Sequence, residues 1–470
     1  MREALNSSLG SSLGSSLGPI HLVGIGGSGM SGIARILLAR GFQVSGSDSR
    51  ETQEILALRA LGARIAIGHA AVNLLQFGAP ASVVVTSTAI APDNPEIIEA
   101  QRILCHVMHR SEALASLLVG RKSLAVAGTH GKTTTTSMTA VTLQSLGLDP
   151  SYAIGAGLGS AGSNAHHGNG EFFVIEADES DKSFLAYSPD SAIITNIEAD
   201  HMDQFTSLHE IEGTFLEFAH SVSGPLVLCG DDEGVQRLVK KLDQEVVTYG
   251  VLSTNDLIIS DVHPVNAGSI FSATLRGRKL GSFKLQVPGL HNVLNAAAVI
   301  AVTAEHGLSL EGVRKGLSEF TGARRRFDVR GVVSNVTVVD DYAHHPTEII
   351  ATLKAAREVS PRGRIIAIFQ PHRFTRLQAF MSEFAAALEL ADEVAIMDVY
   401  GAGEAPIPGV SGMRLAALIP RATFLPSFLD VSEWAAKNAQ SGDYVFTLGA
   451  GDVTLLGPAI LEQLEVVAKS

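Results

Sequence analysis

The stretch Gly128-Thr129-His130-Gly131-Lys132-Thr133 follows the apolar run Ser123–Ala127 and opens a helical pattern that reaches about Leu146. Strand, glycine-rich turn and helix in that order begin an α/β unit, and the turn stacks backbone N–H groups into an anion nest. A common phosphate loop has four residues between its first glycine and Gly-Lys; here there are two, Thr129 and His130. The physics carries over. Lys132 can reach β- and γ-phosphate oxygens, and the Thr133 hydroxyl can ligate Mg²⁺. The bland alternative is a helix start that happens to carry a surface lysine.

Downstream, the strand-like run Phe172–Ile175 leads into Glu176-Ala177-Asp178-Glu179-Ser180-Asp181, which places four carboxylates in six residues. Such a cluster is either solvated or holds a cation, and beside a phosphate loop hard oxygen ligands suit Mg²⁺. The next run, Ala192–Thr195, leads into Asn196-Ile197-Glu198-Ala199-Asp200-His201-Met202-Asp203, where His201 is a candidate second ligand. Residues 255–287 alternate and predict antiparallel strands.

Upstream, Ile20–Val23 enters Gly24-x-Gly26-Gly27-x-Gly29, the helical pattern Met30–Arg40 and a second strand, Gln43–Gly46, followed by Asp48. Glycines there let the backbone approach a diphosphate at a helix N-terminus, and Asp48 is placed to accept a ribose hydroxyl. Val83–Thr86 reads as a later buried strand. Alone, this segment suggests a nicotinamide-dependent oxidoreductase. A second phosphate loop in the same chain argues against that, because an oxidoreductase needs one dinucleotide.

A third α/β unit starts near Ala323, with strands Val336–Val339, Ile365–Phe369, Val394–Met397 and Tyr444–Leu448. These run into Asp340-Asp341, Gln370-Pro371-His372-Arg373, Asp398 and Gly449-Ala450-Gly451-Asp452. In open α/β sheets ligands bind at strand C-termini, so three such units imply a site assembled between domains that close.

Composition bounds the rest. The 470 residues carry 35 Lys+Arg against 48 Asp+Glu, a net charge of −13, which excludes a general grip on nucleic acid or anionic membrane. A hydrophobic share of 46% with 18% charged residues supports a large core rather than bulk disorder. Two distant cysteines, Cys105 and Cys229, exclude a disulfide framework and fit a reducing cytoplasm. No apolar run reaches the ~20 residues that span a bilayer. The tandem Ser-Ser-Leu-Gly repeats at 7–10, 11–14 and 15–18 predict a disordered tail over 1–18.

These motifs, together with His21–Met30, His291-Asn292-x-x-Asn295-Ala296-Ala297, Arg325-Arg326-Phe327, Asp340–Glu348 and Gln370–Arg376, resemble the Mur ligase family over about 19–460. The resemblance implies an α/β fold of three domains. A Rossmann-like UDP-sugar domain would cover 19–118, a central ATPase domain 119–322, and a Rossmann-like C-terminal domain 323–470. It implies an enzyme that joins L-alanine to UDP-N-acetylmuramate through an acyl phosphate made from ATP, in peptidoglycan precursor synthesis. A murein tripeptide ligase acting on the same sugar nucleotide is the alternative within the family. A nucleotide sensor without catalysis is a third possibility.

The resemblance also distributes roles. Gly26, Gly27, Ser28, Gly29 and Met30 would face the UDP diphosphate, and Asp48, Ser87 and Thr88 the uridine and sugar. Gly128, Thr129, His130, Gly131, Lys132, Thr133 and Thr134 would hold ATP phosphates. His291, Asn292 and Asn295 would lie against adenine, with Arg326 and Asp340 reaching ATP from the third domain. Thr133, Glu176 and His201 would hold Mg²⁺. No lysine occurs between Lys182 and Lys240, so the carbamylated lysine of several relatives is not expected. Arg373 and Arg376 are expected to take the alanine carboxylate. Tyr342 and His344 are expected at its methyl and amine, the amine proton leaving to His344 or to solvent. A monomer or weak homodimer is expected.

Overall fold

The computed structural model describes residues 18–158, 162–202 and 204–469. Of the tail expected at 1–18, residues 1–17 lie outside the described residues, as does Asp203.

The first sheet has strands β1 (Ile20–Val23), β2 (Val44–Asp48), β3 (Arg64–Ile67), β4 (Val83–Thr86) and β5 (His106–His109), ordered β3-β2-β1-β4-β5 and parallel throughout. β1 is buried along its whole length, as both-face coverage by helices demands; three of its four residues are apolar and the fourth, His21, is satisfied by Ser45 and Glu96. The chain leaves β1 through Gly24, whose φ of +75° suits glycine, and enters helix α1 (Ser28–Ala39).

The second sheet comprises β6 (Lys122–Ala127), β7 (Ser151–Ala153), β8 (Ala165–His166), β9 (Phe172–Glu176), β10 (Ser191–Ile194), β11 (Leu226–Cys229), β12 (Val247–Gly250), β13 (Leu257–Val265), β14 (Gly268–Leu275) and β15 (Arg278–Leu285). Its order is β15-β14-β13-β12-β11-β10-β6-β9-β7-β8. The β13–β14–β15 pairings are antiparallel, as the alternation over 255–287 predicts. β6 lies between β10 and β9, so the Gly128 loop at its C-terminal end has the ends of both neighbours beside it. Helix α2 (Lys132–Ser145) leaves this loop, and helix α3 (Leu290–Glu305) packs alongside it in the same apolar cluster.

The third sheet has β16 (Asp328–Val333), β17 (Val336–Asp341), β18 (Ile365–Phe369), β19 (Glu393–Ile396), β20 (Ala422–Phe424) and β21 (Tyr444–Leu448), ordered β16-β17-β21-β18-β19-β20. Only the β16 pairing is antiparallel. Helices α4 (Pro346–Val359) and α5 (Phe374–Ala379) follow β17 and β18 and face the second unit. Among the described residues no helix is long and apolar enough to cross a membrane.

Candidate active site between the three sheets

The phosphate loop is built before any ligand arrives. Gly128 (φ +127°) and Gly131 (φ +83°) turn the chain, and a Cβ at Gly131 would meet Asn295 Oδ1 at 2.9 Å. The loop is braced from the end of β10: Asn196 Oδ1 accepts from His130 N (2.8 Å), and Thr195 Oγ1 and Asn196 Nδ2 donate to His130 O (2.5 and 3.1 Å). Lys132 folds back on its own loop, donating to Gly128 O (2.8 Å) and Thr129 O (3.1 Å), and pairs with Glu179 (2.8 Å). Burial works against its charge, but Glu179, Asp178 and Glu176 together hold the ammonium well above its ordinary pKa.

Thr133 Oγ1 donates to Glu176 Oε1 (2.9 Å), and Gly155 N donates to Glu176 Oε2 (2.7 Å). Burial raises the Glu176 carboxyl above its usual range despite these bonds and Lys132, so a further cation at its oxygens would be favoured. Thr133 and Glu176 therefore fit a hard divalent ion. His201 is placed differently: its Nε2 lies 3.6 Å from Glu179 Oε1 and 3.7 Å from Asp200 Oδ2, and Glu179 in turn pairs with Lys132.

The first glycine loop meets this centre. Asn164 of the second unit donates to Ser28 O (2.6 Å) at the start of α1. Ser28, Gly29 and Arg110 line one cavity with Gly155, Glu176 and Asp178. Gly27, Ser28 and Gly29 are exposed, as a ligand-facing turn requires, and so is Thr88, with Ser87 half-buried after β4. Two expected substrate residues differ. Met30 is 3% exposed and packs in the core, because it is the first residue of α1 on the inward face. Asp48 spends Oδ2 on Gly26 N (2.9 Å) and so orders the loop itself.

A second cavity of about 300 Å³ lies between the central and third units. His130, Gly131 and Thr134 form one wall, His291, Asn292 and Asn295 another, and Arg326 and Asp341 close it. The three residues of α3 expected against adenine thus line one cavity with His130, Gly131 and Thr134. Asn292 is oriented by donating to Pro288 O (2.7 Å), and burial, then Arg326, pushes the His291 imidazole down to about 4.

Asp340 is a correction. It is wholly buried, accepts from Thr447 (2.9 Å), Thr454 (2.6 Å) and Arg325 (3.2 Å), and does not line the cavity. Its neighbour Asp341 does, with burial raising its carboxyl to about 6 against the opposing Arg326. Side chains alternate along β17, so Asp340 follows Val338 to one face and Asp341 follows Val339 to the other.

Arg376 already has a protein partner. Its guanidinium is 7% exposed and donates through Nε (3.1 Å) and Nη2 (3.0 Å) to Asp200 Oδ1 of the central unit. Burial opposes the Asp200 charge, but Arg376 and the nearby imidazoles hold that carboxyl far below its usual range. Arg373, with φ +69°, lines a smaller cavity beside Asp200, His201 and Arg376. Tyr342 lies under the guanidiniums of Arg325 (4.9 Å) and Arg326 (5.0 Å), so its ring faces are largely taken. His344 Nδ1 sits 2.9 Å from Tyr342 O and 3.1 Å from Glu348 Oε2; burial lowers its pKa and favours the neutral ring.

Glu348 escaped the sequence reading as a site residue although it falls in the quoted Asp340–Glu348 run. It contacts His130 (3.4 Å), Arg326 (3.4 Å) and His344 (3.1 Å), and burial is outweighed by His344 and His130, which hold it well below the usual range. Glu198 and Glu179 were likewise missed. The signal for Glu348 was present: a glutamate in the first turn of a helix that begins at Pro346.

Comparison with known proteins places the geometry. Family models match residues 19–122 (Mur ligase family, catalytic domain), 126–303 (Mur ligase middle domain) and 325–451 (Mur ligase, glutamate ligase domain). The UDP-N-acetylmuramate–L-alanine ligase of Acidothermus cellulolyticus is 48% identical, covering 94% of both chains. A UDP-N-acetylmuramate-alanine ligase structure from Thermotoga maritima superposes with a TM-score of 0.80 at 33% identity, over 96% of this chain and 99% of that one. A murein peptide ligase structure from Psychrobacter arcticus gives a TM-score of 0.69 at 26% identity, over 95% and 98%. Three matched segments, three sheets in the same order and two glycine-rich loops near one carboxylate agree: the chain belongs to the Mur ligase family.

Proposed function

We infer that this chain joins L-alanine to UDP-N-acetylmuramate at the expense of ATP, a step of peptidoglycan precursor synthesis. The observation that carries the reading is the convergence of both phosphate loops on Glu176, with Ser28 and Gly29 on one side of it and Thr133 on the other. That arrangement delivers a sugar-nucleotide carboxylate to a nucleoside triphosphate. A full-length relative at 48% identity that carries the alanine-ligase name favours alanine over the tripeptide of murein peptide ligase. ADP release with UDP-N-acetylmuramate, compared across single amino acids and the tripeptide, tests it; release with the tripeptide alone would reverse the assignment.

Amide formation needs the carboxylate activated, because its oxygen leaves poorly. Transfer of the γ-phosphoryl group to the lactyl carboxylate gives an acyl phosphate; the alanine amine attacks its carbonyl and phosphate departs. The chain's part is positioning and charge. Lys132 exchanges Glu179 for phosphate oxygens, and the loop amides hold the β-phosphate. Arg326 approaches the nucleotide from the third unit only when that unit is docked, which limits hydrolysis in the open form. Thr133 and Glu176 would hold Mg²⁺, with His201 and Glu179 near enough to join a second ion. When bound, the metal neutralises phosphate charge. A neutral His344 can accept the amine proton at its free nitrogen. With domains at 19–118, 119–322 and 323–470, this reading makes the protein a cytoplasmic monomer or weak homodimer.

Glu176→Gln is expected to shift the Mg²⁺ dependence of turnover to higher concentration by about ten-fold or more, since one anionic ligand of a hard cation is lost. An unchanged Mg²⁺ titration would remove Glu176 from the metal site. The two adjacent aspartates should separate cleanly. Asp341→Asn should raise the KM for ATP about ten-fold, the loss of one hydrogen bond to a charged group. Asp340→Ala should instead destabilise the third unit by about 1–3 kcal/mol by stranding buried partners, with the KM for ATP little changed. Measured KM values and thermal melts of the two variants decide this.

A further inference from the structure

At the seam of the central and third units two imidazoles and a carboxylate converge. One ligand atom from each of His130, Glu198 and His345 lies within 4.8 Å of the other two. The rings of His130 and His345 are 4.7 Å apart. His130 Nε2 and His345 Nε2 are both buried without a hydrogen-bond partner, and His345 is only 4% exposed. Two orphaned ring nitrogens facing a carboxylate are costly unless something joins them.

The surroundings orient these groups. His130 Nδ1 lies 3.4 Å from Glu348 Oε1 and Nε2 lies 3.7 Å from Glu198 Oε2. Burial opposes the imidazolium, but Glu198 and Glu348 raise it to about 9, so a metal ion taken at Nε2 displaces that nitrogen's proton while Nδ1–H stays on Glu348. A carboxylate behind a histidine is the usual support of a metal-binding imidazole. Phe380 packs edge-on against His345 at 4.8 Å and fixes that ring. Glu198 is held by Thr347 Oγ1 (2.7 Å) yet remains 32% exposed, so solvent reaches it. The cavity leading there is lined by Asp231, Asp232, Glu233 and Glu383 against one cation, Arg237, which is itself paired with Glu212, so the net field favours cations.

We propose that His130, Glu198 and His345 form a binding site for a borderline transition-metal cation of the zinc class, bridging the central and third units. Two imidazoles and one carboxylate with an open position suit Zn²⁺ or Co²⁺ and are a poor set for Mg²⁺, which prefers oxygen. Ligand atoms about 2.0–2.2 Å from a tetrahedral ion stand roughly 3.5 Å apart, so the three side chains need close by only about an ångström. Coordination through His345 Nε2 moves that ring's proton to Nδ1 and gives up its long 3.4 Å contact from Thr347 N. Because ligands come from both sides of the seam, a bound ion holds the third unit on the phosphate loop. Turnover requires that unit to open, so the ion slows it.

The test uses the full-length protein with Co²⁺ as probe, in excess Mg²⁺ so that oxygen-rich sites are filled. Wild type is expected to give the saturable visible absorption of four-coordinate Co²⁺, removed by Zn²⁺. His345→Asn, in which asparagine can still cap the helix, and Glu198→Gln should each weaken Co²⁺ binding at least ~10-fold, the lower end of what lost metal-site groups cost. Added Zn²⁺ should slow the Mg²⁺-supported reaction of wild type and much less that of His345→Asn. Absence of the absorption in wild type, or its survival undiminished in both folded variants, overturns the site. Zn²⁺ inhibition undiminished in His345→Asn overturns its bridging role.

Discussion

Lys132→Ala is expected to abolish phosphate release while leaving UDP-sugar binding close to that of the wild type. The ammonium is the cation at the mouth of the anion nest, held by Gly128 O and Thr129 O and balanced by Glu179. Loss of one preorganised charge stabiliser from a dry site lowers kcat by about 10²–10³-fold, and in the proposed reaction Lys132 would both bind the nucleotide and offset charge in transfer. The glycine-rich loop at Gly26–Gly29, proposed above to hold the sugar nucleotide, belongs to another sheet and takes its order from Asp48 and Asn164. Deleting Lys132 strands Glu179, which is 2% exposed, so some stability is lost too. A thermal melt and a UDP-sugar titration on the same sample separate the effects. Equal loss of sugar-nucleotide binding in a folded variant would refute the division of labour between the two loops.

The parts of the fold legible in the sequence are those with strong local causes. β1, β4, β18 and β21 begin and end at the residues their largely apolar runs predict, because a strand covered on both faces is mostly apolar; His21 and Thr447, buried within β1 and β21, are satisfied by Ser45 and Asp340. The phosphate loop is equally local: its glycines, lysine and threonine act within a few residues of one another. Short strands such as β3, whose residues are partly exposed, lack that signature and went unseen. The site features hidden in the chain share one cause. Asp340 and Asp341 are chemically identical, and only the β17 register says which faces the nucleotide cavity. Arg376 has the chemistry of a carboxylate clamp, but its partner Asp200 is 176 residues away on another unit. Pairings across a domain seam leave no periodicity in the chain.

That seam makes Arg376→Ala the other substitution of large expected effect, and its outcome divides into two measurable parts. Arg376 and Asp200 are 7% and 5% exposed, and removing one partner of a buried pair typically costs about 3–5 kcal/mol because the remaining charge has no solvent. The third unit of Arg376→Ala should therefore melt earlier and be cut sooner by protease. Asp200→Asn in the same chain should restore part of that loss by removing the stranded charge. The guanidinium is not exhausted by Asp200, however. Nε and Nη2 both serve the one oxygen, while Nη1 has only a 3.5 Å contact with His372 Nδ1. Nη1 thus keeps donor capacity toward the cavity shared with Arg373, where an amino-acid carboxylate would complete it. If Arg376 serves both partners, Arg376→Ala raises the KM for L-alanine by roughly ten- to a hundred-fold, the value of a charge-assisted bond at ~1.5–3 kcal/mol. Adding Asp200→Asn then rescues stability and leaves the alanine KM high. A double variant in which both recover together would make Arg376 a latch between units alone, and would move the alanine carboxylate to other donors.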